Sequence, residues 1–247
     1  MYSYFEIQSK VGITKHMGGL KSTKELLELC RVNDSSYVLI IGSGNGTSAI
    51  RIHQWTGCRI VGIDLSEEMV ESALEKADDG VEFMVGNAED IQFPDNTFDV
   101  VISESVTAFT NKNKSLSEYY RVLKNGGYLG LNEVTWLEEP SHEINDYVQR
   151  VMGLKGENKD SWISLLEHAG FKNIINKSYP INQRKQVLGD LELQSIGFFK
   201  IWGRFIYYYL KDPEYRKSVH YFAREGIRIP RDFTRYFGYG LYVCKKY

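Results

Sequence analysis

Short apolar runs alternate with stretches whose apolar residues recur every three or four positions, from residue 37 to residue 179. Tyr37-Val38-Leu39-Ile40-Ile41 is apolar at consecutive positions and bounded by turn formers, the pattern of a strand buried on both faces. It meets Gly42-Ser43-Gly44-Asn45-Gly46, after which residues 47–55 read as a helix. Residues 59–63 predict a second strand ending at Asp64. Met69, Val70, Ala73, Leu74 and Ala77 mark the face of the next helix, with Ser66 as its cap. Residues 81–85 and 98–103 predict strands, 115–123 a helix, and 128–134 a strand introduced by Asn125-Gly126-Gly127. Trp162, Leu165, Leu166 and Ala169 give a helical face that stops at Gly170, and residues 171–179 predict another strand. Ahead of the series, Ser22-Thr23-Lys24-Glu25 resembles a capping box, followed by Leu26, Leu27 and Cys30 at helical spacing.

Strands separated by helices of this length imply an α/β fold: a doubly wound, Rossmann-like, mostly parallel sheet of seven strands with helices on both faces. Residues 189–237 break the alternation. They are rich in aromatics interleaved with Lys and Arg, at helical spacing and punctuated by Pro213 and Pro230, and a last strand follows over 239–244. The expected organisation is a helical cap over 1–36, a sheet domain over 37–188 and 238–247, and an aromatic helical insertion over 189–237 placed as a lid.

Composition narrows the class. Hydrophobic residues at 43% and charged residues at 25% are those of a globular chain, which excludes disorder and fibrous repeats. A net charge of −2 argues against a general nucleic-acid binder. Cys30, Cys58 and Cys244 are an odd number without CxxC spacing, so neither a disulfide framework nor a metal site is expected, and a reducing compartment fits. No apolar run approaches the roughly 20 residues that span a bilayer, and the first residues lack the charged and apolar regions of a signal peptide. A cytoplasmic protein is the expectation.

The 42–46 segment carries the chemistry. Its glycines allow a tight turn and close approach of a ligand, and the helix start offers free N–H groups. Asp64, at the carboxyl end of the second strand, can accept two hydrogen bonds from ribose hydroxyls. Thr47 stands where a dinucleotide-binding GxGxxG pattern has its third glycine, which argues against a pyrophosphate ligand. Downstream, Gly86-Asn-Ala-Glu-Asp-Ile-Gln-Phe-Pro-Asp-Asn-Thr-Phe-Asp99 and Arg121-Val-Leu-Lys-Asn-Gly-Gly127 complete a set of segments. With them the chain resembles the class I S-adenosylmethionine-dependent methyltransferases, and within these the small-molecule group that includes the ubiquinone and menaquinone biosynthesis enzymes.

The resemblance implies S-adenosylmethionine as cofactor and S-adenosylhomocysteine as product. It implies that Gly42, Ser43, Gly44 and Gly46 lie along the methionine part, that Asp64 holds the ribose hydroxyls, and that Leu65 and Met69 pack near the adenine. Asn87, Ala88 and Glu89 would border the adenine edge, and Ser103 and Glu104 the methionine moiety. His16, Gly18 and Gly19 fall where related enzymes fold an N-terminal segment over the cofactor.

Methyl transfer from a sulfonium is an in-line displacement, so a base is needed only where the acceptor must lose a proton. Glu133, at the end of the fifth strand, is the first candidate for base or substrate anchor, with His16 and Glu104 after it; the plain alternative for Glu133 is a solvated strand-end carboxylate. The expected acceptor is a small molecule. Three alternatives stay open: an RNA methyltransferase using the Arg- and Tyr-rich insertion as a stacking platform, a quinone or lipid enzyme touching a membrane through residues 198–210, and a non-catalytic nucleotide-binding protein.

Overall fold

Successive residues of β1 (Tyr37–Ile41) point to opposite sides of the sheet, and both sides are apolar. Val38 and Ile40 enter one buried cluster and Leu39 and Ile41 the other. In a computed structural model, which describes residues 1–182, 186, 190 and 198–247, this strand lies mid-sheet. It pairs in parallel with β2 (Arg59–Asp64) and β4 (Phe98–Glu104). Outside these lie β3 (Val81–Val85) and β5 (Leu123–Trp136), also parallel. The last strand, β8 (Phe237–Lys245), inserts antiparallel between β5 and β7 (Lys172–Pro180), and the order is β3-β2-β1-β4-β5-β8-β7.

Among the described residues the sheet carries the seven expected strands in one path and a short eighth beside them, because β5 outruns its predicted end. Pairing with β4 stops at Asn132, which leaves one backbone edge of Thr135 and Trp136 unpaired. The two-residue strand β6 (Glu157–Asn158) takes that edge.

Helices cover both faces. From α2 (Gly19–Leu29), α3 (Thr47–Thr56) and α4 (Glu67–Leu74), Leu26, Ile50 and Val70 pack on the face of Val38 and Ile40. From α5 (Lys112–Val122) and α7 (Lys159–His168), Leu116, Tyr119 and Trp162 pack on the opposite face. A third cluster forms at the end of β5, where Ile144, Tyr147 and Val148 of α6 (His142–Met152) meet Trp136 and Phe237. The sequence reading misses α6, although its apolar residues stand at helical spacing behind a capping Ser141.

The capping box expected at Ser22 is a correction. Helix α2 starts earlier, at Gly19, and is preceded by Gly18 in a left-handed conformation (φ 74°). Ser22 lies inside the helix, and its hydroxyl donates to the carbonyls of Met17 and Gly19. A second helix, α1 (Tyr4–Val11), precedes it with a true capping box of Ser3 and Glu6. Beyond β7, α8 (Phe198–Lys211) and α9 (Pro213–Ile227) pack on one another, with Phe205 and Tyr208 against Tyr215, and a short α10 (Phe233–Tyr236) leads into β8. Helix α9 holds the N-terminus: Tyr2 N–H donates to Ser218 Oγ at 2.9 Å, and the Tyr4 and Phe222 rings meet edge-on.

Candidate active site

The carboxyl ends of β1, β2 and β4 open together into a cavity of about 580 Å³, roofed by α1 and the segment after it. Gly42, Ser43 and Gly44 of the 42–46 loop line it. Gly42 (φ 64°) and Gly44 (φ 54°) adopt backbone that side chains rarely take, and each faces a close neighbour. A Cβ on Gly42 would stand 2.3 Å from Val106 Cγ2, and one on Gly44 2.5 Å from Thr14 Oγ1. The loop is thus pressed between the turn after β4 and the N-terminal segment.

Asp64 locks the loop from the neighbouring strand. Its carboxylate accepts the Gly44 N–H at 2.8 Å and the Ser66 N–H at 3.0 Å. Burial pushes this carboxyl above its ordinary value, against the N–H groups of Ser66, Gly44 and Leu65, which favour the ionised form. Asn45 ties the loop to the roof: its side-chain amide donates to the Gly12 carbonyl at 2.8 Å, and its backbone N–H donates to Thr14 Oγ1. The same side chain accepts from the Thr47 hydroxyl, so the loop, α3 and the N-terminal segment share one buried network.

At the other end, His16 is almost fully buried between two elements. Its Nδ1 lies 3.4 Å from Glu104 Oε1, within ion-pair distance but without hydrogen-bond alignment, and its Nε2 lies 3.4 Å from Ser48 Oγ. Glu104 is fixed in turn by the Thr23 hydroxyl at 3.0 Å. The pair brings an imidazole and a carboxyl group together at the end of the cavity.

The structure brings most of the sequence-selected residues to this one space: His16, Gly42, Ser43, Gly44, Asp64, Leu65, Met69, Asn87, Ala88 and Glu104 line it. Four do not. Gly46 caps α3 and faces Phe83 and Ala73. Glu89 accepts the Asn111 N–H that starts α5. Ser103 is buried, with its hydroxyl 2.8 Å from that of Thr107.

Glu133 is the substantial correction. It is neither in the cavity nor solvated, but fully buried behind the turn that follows β4. Its carboxylate accepts N–H bonds from Val106 (3.1 Å), Thr107 (2.7 Å) and Ala108 (3.2 Å). Burial pushes the carboxyl up to about 7, against those same N–H groups. Because β5 runs on to Trp136, Glu133 lies inside the strand, and its carboxylate holds backbone donors at the start of a helical turn instead of meeting a ligand.

Residues missed by the sequence reading come from α1, the segment after it and the turn after β4: Phe5, Ser9, Ile13, Val106 and Phe109 all line the cavity. A signal for α1 existed in Tyr2, Phe5, Glu6, Ser9 and Ile13 at helical spacing.

A glycine loop at the end of the first strand, an acid at the end of the second and a cavity across the sheet edge define a Rossmann-like enzyme that binds an adenosyl or nucleotide group. Comparison with known proteins narrows this. Residues 39–131 match the methyltransferase domain family. The chain is 31% identical over 163 residues to a phosphoethanolamine N-methyltransferase of Triticum aestivum, covering 64% of this chain and 32% of that one. It is 34% identical over 125 residues to the ubiquinone/menaquinone biosynthesis C-methyltransferase UbiE of Hydrogenovibrio crunogenus, covering 47% and 49%. Among solved structures, the [4+2]-cyclase SpnF superposes with a TM-score of 0.74 at 20% identity, over 98% of this chain and 92% of that one. These matches support the resemblance to the class I S-adenosylmethionine-dependent methyltransferases, and the chain spans about a third of the length of the wheat relative.

Proposed function

We propose that this protein transfers a methyl group from S-adenosylmethionine to a small-molecule acceptor and releases S-adenosylhomocysteine. One observation carries the reading: the 42–46 loop and Asp64 meet in a single cavity, with the Gly44 N–H already on the carboxylate. The donor set fits the cofactor. A carboxylate has about four acceptor sites, and Asp64 meets the backbone N–H groups of Gly44, Ser66 and Leu65, which leaves acceptor capacity for a ribose hydroxyl. Leu65 and Met69 offer apolar surface to a purine, beside Asn87 and Ala88. Gly42, Ser43 and Gly44 lie where the amino-acid end would rest, with His16 and Glu104 beyond them.

The cofactor, when bound, supplies a methyl group on a sulfonium that leaves without acid assistance. The protein's part is to align two partners and exclude water, an effect worth up to roughly 7–11 kcal/mol in well-oriented model systems. Glu104 and His16 can take up a proton where the acceptor must lose one. Glu133 is outside that role, since it does not reach the cavity.

In this reading residues 37–188 and 238–247 form the cofactor-binding domain, 1–36 its cap and 189–237 an insertion, with the boundary at 188/189 lying outside the described residues. The contacts of Tyr2 and Tyr4 with α9 support a roof built from both ends of the chain. The protein is read as cytoplasmic, on three buried free thiols. Among the described residues no helix is long and apolar enough to cross a membrane. The exposed Ile206, Tyr207 and Leu210 of α8 keep a peripheral membrane contact within the reading, and vesicle flotation tests it.

Thermal-shift titration with S-adenosylhomocysteine and NADH side by side tests the cofactor assignment, because a ligand of the folded state raises its apparent stability. Stabilisation by the adenosyl compound alone, weakened about tenfold or more by Asp64→Ala, is the expected result. Stabilisation by NADH alone would refute the reading.

A further inference from the structure

Helix α8 turns an apolar row to solvent. Between residues 201 and 210 its exposed positions are Trp202, Gly203, Ile206, Tyr207 and Leu210, which share one face and carry no charge. Ile206 is 54% exposed, Tyr207 60% and Leu210 66%, a contiguous patch and not a scatter of single residues. The opposite side of the helix is packed. The Lys10 ammonium of α1 lies 5.0 Å from the Tyr208 ring centroid, and Phe205 and Tyr208 meet Tyr215 of α9.

Helix α9 adds a basic row. Its exposed positions from 216 to 227 are Lys217, His220, Ala223, Arg224, Gly226 and Ile227, and the one acid of this stretch, Glu225, is buried against Arg150. Among the described residues neither Lys217 nor Arg224 is in an ion pair. The two rows adjoin. The Tyr209 hydroxyl lies 3.0 Å from His220 Nε2, and Arg216 Nη1 donates to the Tyr209 carbonyl at 3.1 Å. His220 stands one helical turn from Lys217 and from Arg224, as Tyr209 does from Ile206, so the apolar and basic rows meet at this seam. Residues 198–236 hold nine Lys and Arg against four Asp and Glu, in a chain whose formal net charge is −2.

We propose that α8 and α9 form a docking face for an anionic membrane surface. Ile206, Tyr207 and Leu210 enter the headgroup boundary, and Lys217 and Arg224 meet anionic headgroups. An apolar row bordered by basic residues is the pattern of a helix lying in that boundary, where tyrosine also partitions. Two copies meeting through the apolar row would bring two basic rows to one interface, a repulsion that an anionic surface turns into attraction. The proposal rests on the peripheral contact of the reading above, to which it gives a lipid class and a second helix, and it is independent of the cofactor.

The test is co-sedimentation of the full chain with phosphatidylcholine vesicles, plain or carrying about 30 mol% phosphatidylserine, at low salt. The phosphatidylserine vesicles are expected to bind at least about tenfold more tightly. Lys217→Glu with Arg224→Glu should remove that preference, and Ile206→Ser with Leu210→Ser should weaken binding to phosphatidylserine about tenfold. All four side chains are exposed, and an unchanged thermal midpoint checks that each double variant folds. Equal binding to both vesicles, binding to neither, or parent-level binding of either folded double variant overturns the proposal. A dimer in sedimentation velocity that Ile206→Ser with Leu210→Ser dissociates would assign the face to a second copy and overturn it as well. Stabilisation of the same proteins by S-adenosylhomocysteine reads the cofactor assignment separately, so either can fail alone.

Discussion

Replacing Glu133 by Gln removes a buried charge and keeps the shape, so its effect on stability must change sign or size with pH. In the folded protein burial raises this carboxyl to about 7, from an ordinary value of 4.5. The folded state therefore binds the proton more tightly than the unfolded chain does. The group's contribution is fully favourable below about 4.5 and is lost as pH rises through about 7. Between pH 5 and pH 8 that loss is worth roughly 2–3 kcal/mol. The facing titratable groups, Tyr119 on α5 and Tyr242 on β8, are both pushed upward by burial and stay neutral across this range.

The Gln variant has no such slope, but it has a constant cost. Its carbonyl oxygen can replace Oε1 toward Val106 and Thr107, while its NH₂ then opposes the Ala108 N–H that Oε2 accepted. One buried donor left without an acceptor costs about 1–3 kcal/mol. Glu133→Gln should therefore be clearly destabilised at pH 5 and close to, or above, the parent at pH 8. Urea unfolding of both proteins at the two pH values measures the gap. A gap that stays constant within about 0.5 kcal/mol would show that Glu133 does not titrate in this range, and the reasoning from burial would fail.

Further substitutions probe the loop and its supports. Gly44→Ala should lower stability by about 1–3 kcal/mol and reduce S-adenosylhomocysteine affinity, because φ is 54° and the new Cβ meets Thr14; differential scanning fluorimetry with and without ligand reads both. Asn45→Ala should cost about 1–3 kcal/mol in chemical denaturation, since the Gly12 carbonyl and the Thr47 hydroxyl both lose a buried partner. Ser66→Ala removes the acceptor of the Met69 N–H at the start of α4 and should cost about 1 kcal/mol, with the far-ultraviolet dichroism of the folded state unchanged.

Much of the fold is legible along the chain because its signals are local. The 37–41 run, the glycines after it and the Ser66 cap each act within a few residues, and β1, the loop and α4 form where those signals stand. Errors arise where a local signal has competition. Ser22-Thr23-Lys24-Glu25 has the composition of a cap, yet Gly18 and Gly19 turn the chain earlier and Ser22 is absorbed into the helix. The added strand β6 depends on an edge left free by the length mismatch of β4 and β5, which neither segment records alone.

For the site the division is sharper. The sequence by itself determines that a glycine loop and an acid stand at the ends of the first two strands, because strand period and turn chemistry set those positions, and parallel pairing then brings them together. Only the tertiary structure decides what lies across from them. Residues 5, 13, 106 and 109 are distant along the chain and meet because α1 folds back over the sheet edge. Glu133 shows the same limit: a carboxylate expected at a strand end can face ligand, water or backbone, and β5 in fact runs past it to Trp136. Here the N–H groups of the turn after β4, brought over it by the register of β4 on β5, take it out of the cavity. Strand and turn preferences act over a handful of residues, whereas the partner of a buried charge is set by packing between segments that carry no local record of one another.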